Sequence, residues 1–134
     1  MIVRQEIVSD EIYDTLEQEI QENIGELLKR INMIRSAYGQ PMIVTSGYRT
    51  LEQHLAIYAK KGITDKSKIP MKSKHLYGQA VDISDPGLFV QNWVKENEDY
   101  IKKVGLWMED FGSTPNWVHF QIVPPASKKL YFIP

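Results

Sequence analysis

The chain has no cysteine among its 134 residues. Disulfide frameworks and thiolate metal sites are therefore excluded, and any metal must be held by His, Asp, Glu or water. It also lacks any stretch of about 18 apolar residues, which excludes a membrane-spanning helix. Neither sign of charge is in excess. Sixteen Lys and Arg against 17 Asp and Glu leave a formal net charge of −1, so no global field favours nucleic acid. The opening Met1-Ile2-Val3-Arg4-Gln5-Glu6 lacks the basic start and apolar run of a secretory signal, so synthesis in the cytoplasm is expected. Histidine is scarce, with three in all, and the position of each one carries weight.

What is present suits one soluble-type domain spanning residues 1–134, expected as a monomer. Ser9 and Asp10 suit a helix N-cap, and Leu16, Ile20, Ile24, Leu27, Ile31 and Ile34 recur every three or four residues. That pattern predicts an amphipathic helix of about 28 residues, stopped by Gly39 and Pro41. Met42 to Thr45 reads as a strand, and Thr50 caps a second helix to about Lys61 with Leu51, Leu55, Ile57 and Tyr58 as its apolar side. From Gly62 to Lys74 there is no periodicity, which indicates a loop. Six lysines lie between Lys60 and Lys74 against Asp65 alone, either as a solvated loop or as a rim that attracts an anionic substrate. Ala80 to Ile83 is a brief strand, and Asp85-Pro86-Gly87 opens a third helix to about Val104. A hairpin follows, with strands at Leu106–Met108 and Trp117–Val123, and then an extended tail from Pro124. The sum is an α+β domain with helices packed on one face of a small, largely antiparallel sheet.

Three segments place unusual polar residues at element ends: Ser46 to Arg49, Ser73 to Asp82, and Trp117 to His119. Asp82 stands in an apolar strand, where an ionised carboxylate is costly unless paired or bound to metal. Two imidazoles and a carboxylate, from His75, His119 and Asp82, leave a fourth tetrahedral position open, as in catalytic rather than structural zinc sites. Gly78 and Ala80 are small enough to let the backbone pass closely by the metal. Arg49 carries a permanent charge on a fork that matches a carboxylate, either that of a ligand or that of a surface ion pair.

Ser73-Lys74-His75-Leu76-Tyr77-Gly78-Gln79-Ala80-Val81-Asp82 resembles the S-x-H-x-x-G-x-A-x-D signature of the D-alanyl-D-alanine metallopeptidases. These are zinc enzymes that trim or cut peptidoglycan stem peptides, and they include phage endolysins. Ser46-Gly47-Tyr48-Arg49-Thr50 is similar to the family's S-G-Y-R segment, and Trp117-Val118-His119 to its W-x-H segment. The resemblance runs from about Val44 to Phe120. It implies a hedgehog/D-Ala-D-Ala-peptidase-like fold, zinc ligation by His75, Asp82 and His119, and a role for Arg49 on substrate carboxylate, carbonyl oxygen or oxyanion. It further implies a peptidoglycan-peptide substrate, reached after lysis or from within a virion. Ser73 either bonds substrate or caps the turn, and Trp117 is either a packing residue or a substrate platform.

The pattern breaks at one position. The family usually has Glu or Asp three residues before the last histidine, where this chain has Asn116. An amide can orient water or bind a carbonyl, but it cannot act as a general base. Glu109 or Asp110 across the hairpin loop supplies the missing carboxylate, with Asp110 favoured as nearer the loop. Otherwise hydrolysis proceeds on the metal and Arg49 alone, or catalysis is lost and the domain binds wall peptide without cutting. His54 is the spare histidine, at the surface, in the core or touching substrate.

Overall fold

The computed structural model describes residues 1–134 as six α-helices and five strands. Helix α1 spans Arg4–Ile7, α2 Asp10–Tyr13 and α3 Gln18–Tyr38. Strand β1 is Val44–Ser46, α4 Leu51–Lys60 and β2 Ala80–Ser84. Helices α5 (Phe89–Glu96) and α6 (Glu98–Val104) lead to β3 (Trp107–Glu109), β4 (Trp117–Gln121) and β5 (Tyr131–Phe132). The sheet order is β1-β2-β4-β3-β5. Every neighbouring pair is antiparallel except β3 with β5.

Side-chain alternation divides the sheet into two chemically distinct faces. Val81 and Ile83 of β2, Met108 of β3, and Val118 and Phe120 of β4 point into the core. There they meet Ile24, Leu27, Ile31 and Ile34 of α3, Val90 and Val94 of α5, and Ile101 of α6. Each fully buried Ile or Leu contributes roughly 1.5–3 kcal/mol relative to exposure, so this layer holds the sheet rigid. The intervening residues, Asp82 on β2 and His119 and Gln121 on β4, necessarily share the opposite face. The core-forming period thus gathers the polar residues.

Two of the expected helices are divided. The long helix expected from Asp10 breaks after Tyr13, and α3 starts at Gln18. The Thr15 hydroxyl donates to Ile12 O at 2.7 Å, a local bond that competes with helix propagation. The helix expected from Asp85 to Val104 divides at Asn97, whose side chain donates to Trp93 O at 2.7 Å. Asp85 itself is buried and caps α5, accepting from Val90 N and Gln91 N. On α4 the expected apolar side is only partly covered: Leu55, Ile57 and Tyr58 are partly buried and Leu51 is half-exposed, whereas His54 is the helix's buried residue. The tail after Pro124 is not merely extended, because β5 adds a parallel strand to β3.

Candidate metal centre

His75, Asp82 and His119 arrive from three separate places. His75 lies in a 3-10 turn over Lys74–Tyr77, Asp82 in the middle of β2 and His119 in the middle of β4. The β2–β4 register sets Asp82 directly opposite His119. The turn bearing His75 is closed by Gly78 in the left-handed conformation (φ 69°), where a Cβ would meet Ile24 Cγ1 at 2.6 Å. The close approach that demands glycine is therefore to α3, not to the metal position as expected.

One potential ligand atom from each of the three residues lies within 4.8 Å of the other two, and all three residues are buried. Asp82 Oδ1 is 2.9 Å from His119 Nδ1 and 3.3 Å from His75 Nε2. The outer ring nitrogens are held by the protein. His75 Nδ1 donates to Gly47 O at 2.8 Å, which leaves Nε2 with its lone pair facing the centre. His119 Nε2 donates to Gln121 Oε1 at 2.8 Å, and Gln121 Nε2 in turn donates to Val123 O at 2.7 Å. That second bond fixes which way the amide points, so Nδ1 of His119 also faces inward. Two imidazoles and a carboxylate with aligned lone pairs fit a borderline divalent cation such as zinc.

The electrostatics of the metal-free chain agree. Burial opposes charge on Asp82, yet the hydrogen bond with His119 and the closeness of the His75 ring hold its carboxyl well below the usual carboxylate range. Burial likewise works against protonation of His119, but the bond to Asp82 and the charge of Glu109 raise its pKa above the ordinary histidine value. A proton shared between Asp82 and His119 occupies the place that suits a cation.

Arg49 belongs to the same site. Its Nη2 lies 3.6 Å from Asp82 Oδ2, and its Nε donates to Ser46 Oγ at 2.9 Å. Gly47, between Ser46 and Arg49 in the turn, packs on α1, and a Cβ there would meet Ile7 O at 2.4 Å. An open cleft of about 1180 Å³ exposes the site, lined by Arg49, Ser73, Glu109 and Trp117 among others. No hydrogen bond from the Ser73 side chain caps the 3-10 turn, so its hydroxyl is left for the cleft.

The two acidic candidates separate. Glu109 Oε1 stands 3.7 Å from His119 Nδ1 and lines the cleft. The Asp110 carboxylate instead accepts from Ser113 Oγ at 2.6 Å within the hairpin turn and does not line the cleft. Glu109, the last residue of β3, shares the face of Trp107, whose partner Gln121 lies on the His119 side, whereas Asp110 already belongs to the turn. Asn116 is exposed ahead of β4, accepts Asp85 N–H at its backbone carbonyl and does not line the cleft. Neither Asp110 nor Asn116 therefore has the placement expected of it. Gln121 and the tail wall at Tyr131 and Phe132 lie outside the three sequence motifs. For Gln121 a signal existed, since it lies two residues beyond His119 on the same strand face.

The family model described as Peptidase M15 matches residues 2–121. The chain belongs to the Peptidase M15 family. No curated protein and no solved structure matches it significantly. Family membership and the His75–Asp82–His119 cluster together make this a metallopeptidase-like protein of α+β fold. No helix is long and apolar enough to cross a membrane.

Proposed function

We propose that this M15 protein is a zinc-dependent peptidase that hydrolyses peptidoglycan stem peptides, as a carboxypeptidase or an endopeptidase. One observation carries the reading: the three metal donors, Arg49 and Glu109 meet on the floor of a single cleft. A bound zinc ion would supply Lewis acidity and lower the pKa of water. His75, Asp82 and His119 would hold it, with Gly47 O and Gln121 fixing the two rings.

The chain's own groups do the rest. Arg49 binds the peptide's carboxylate or carbonyl oxygen and stabilises negative charge as it develops there. Glu109, at Oε1, takes the proton of the attacking water and returns it to the leaving amine. Ser73 offers its free hydroxyl to the peptide backbone at the cleft wall. Because the motifs are similar to those of phage endolysins, a lysis or virion setting in a phage or prophage accompanies the proposal.

A second reading has one observation in its favour. Asn116 replaces the usual acidic residue, which suits a domain that binds wall peptide without cutting it. The zinc-loaded protein, incubated with purified peptidoglycan and defined stem peptides, separates the two by mass spectrometry. Zinc-dependent cleavage products are expected. Their absence from protein with demonstrably bound metal would leave only the binding domain.

A further inference from the structure

His54 has no part in the mechanism above, yet it is an ionisable side chain with no accessible surface at all. Both ring nitrogens have partners. Nε2 lies 2.9 Å from Pro70 O, and Nδ1 lies 3.4 Å from Arg49 Nη1. A carbonyl can only accept and a guanidinium can only donate, so Nε2 carries the proton and Nδ1 presents its lone pair. Burial, together with the charge of Arg49, favours that neutral form, while the bond to Pro70 works in the other direction. The edge of Tyr58, 5.1 Å between ring centroids, restrains the imidazole on its remaining side.

Arg49 is thus gripped from three elements. Ser46 at the end of β1 takes Nε, His54 of α4 takes Nη1, and Asp82 of β2 faces Nη2. A guanidinium has five N–H donors: two make hydrogen bonds, a third faces Asp82 at 3.6 Å, and two remain for a ligand. The same imidazole also fastens Pro70, where the cleft wall running through Met71, Lys72 and Ser73 begins.

We infer that His54 is a positioning residue: as a neutral acceptor it sets the plane of the Arg49 guanidinium and ties it to the Pro70–Ser73 wall, so the two free donors meet an anionic oxygen. The inference rests on the ligand-binding role proposed for Arg49. A nitrogen-acceptor contact holds the fork in one plane, which a purely apolar neighbour of similar volume cannot do.

The test compares wild type, His54→Phe, His54→Gln, Arg49→Met and the His54→Phe/Arg49→Met double variant, all zinc-loaded. Calorimetric titration with N-acetyl-D-alanyl-D-alanine and with its C-terminal amide gives the carboxylate preference of each. His54→Phe should lose that preference by ~10-fold or more with unchanged zinc content, and His54→Gln should recover most of it. Against Arg49→Met, the second substitution should change nothing further, because His54 acts through Arg49. Equal preference in wild type and His54→Phe overturns the inference, as does a full additional loss in the double variant. A wild type indifferent to the carboxylate overturns both this inference and the role of Arg49. Absent cleavage with the binding pattern intact removes only the enzymatic reading. Nitrogen-resolved NMR of the folded wild type keeps the test independent of how the variants fold. It should show His54 singly protonated at Nε2, and a proton on Nδ1 at neutral pH overturns the proposal.

Discussion

Gln121 stands 2.8 Å from the outer nitrogen of His119 while its own amide is anchored to Val123 O, so a residue that cannot touch the metal position orients one that can. Removing such an outer partner lets the ring rotate and weakens its lone pair. Gln121→Leu should cost ~10- to ~100-fold in zinc affinity with little change in thermal midpoint. Competition with a chelating dye measures it. Affinity equal to wild type would mean that β4 alone orients His119.

Glu109 and Asp110 are neighbours in sequence with opposite surroundings, which makes them a matched pair. Glu109→Gln should lower kcat by ~100-fold or more and retain zinc, because it removes a proton acceptor and not a ligand. Asp110→Asn should leave kcat within a few-fold, since its carboxylate serves the Ser113 turn. Steady-state kinetics on one stem peptide distinguishes them, and the reverse ranking would transfer the proton to Asp110.

The raised pKa of His119 has a signed consequence. In metal-free protein a histidine whose folded value exceeds its unfolded value of ~6.5 adds stability below that pH. The contribution is lost as pH rises through the raised folded value. Zinc binding runs the other way, because the ligand must shed that proton first. As pH rises from ~6.5 through the raised folded value, the chelator-treated protein should therefore lose thermal stability while the stabilisation by added zinc grows. His54, with its lowered value, gains stability only as pH rises to ~6.5, below this window. Thermal melts with chelator and with zinc across the range give both curves, and parallel curves would refute the shared proton.

The close approach at Gly47 joins fold to site. A methyl group at that position collides with the backbone of Ile7, and the same glycine's carbonyl orients His75. Gly47→Ala should destabilise by about 1–3 kcal/mol and also weaken zinc binding, as α1 and the turn move apart. Denaturant unfolding beside zinc titration checks whether the two losses occur together.

The features legible in the sequence were those with a local period or a local motif. The stripe Ile24, Leu27, Ile31 and Ile34 packs as its spacing indicates, and alternation around Asp82 and His119 sets both on one polar face. The His75–Asp82–His119 cluster was expected from donor chemistry together with the motif resemblance, and the three side chains do meet. Less legible were the outcomes of competition. The helix breaks near Thr15 and at Asn97 depend on single side-chain bonds to the backbone, which periodicity does not register. The parallel pairing of Met108 with Tyr131 has no local signal, because its partners lie far apart in the chain. Choosing between Glu109 and Asp110 required knowing where β3 ends, since a shift of one residue exchanges the two faces.

Three of the six lysines in the run Lys60 to Lys74 lie at the cleft. Lys61, Lys72 and Lys74 line one side and Lys129 of the tail also contributes, while only Asp82 and Glu109 among the lining residues are acidic. None of the four lysines forms an ion pair within the chain, although Lys61 lies over the Tyr58 ring. With the whole chain at a net −1, this concentration of positive charge is local and cannot be a reflection of composition. Exposed charges act on an incoming ligand through solvent, so their effect is long-ranged at low salt and screened within ~10 Å at 0.1 M. Capture of an acidic peptide should therefore weaken as salt rises, with KM increasing several-fold between about 0.02 M and about 0.5 M and kcat nearly constant. The triple variant Lys72→Gln/Lys74→Gln/Lys129→Gln should show a higher KM at low salt and a flatter dependence. Kinetics on a peptide with free carboxylates and on its fully amidated counterpart provide the control, since the amidated peptide should feel neither salt nor substitution. An equal salt response for both peptides would assign the lysines to the solvated surface alone.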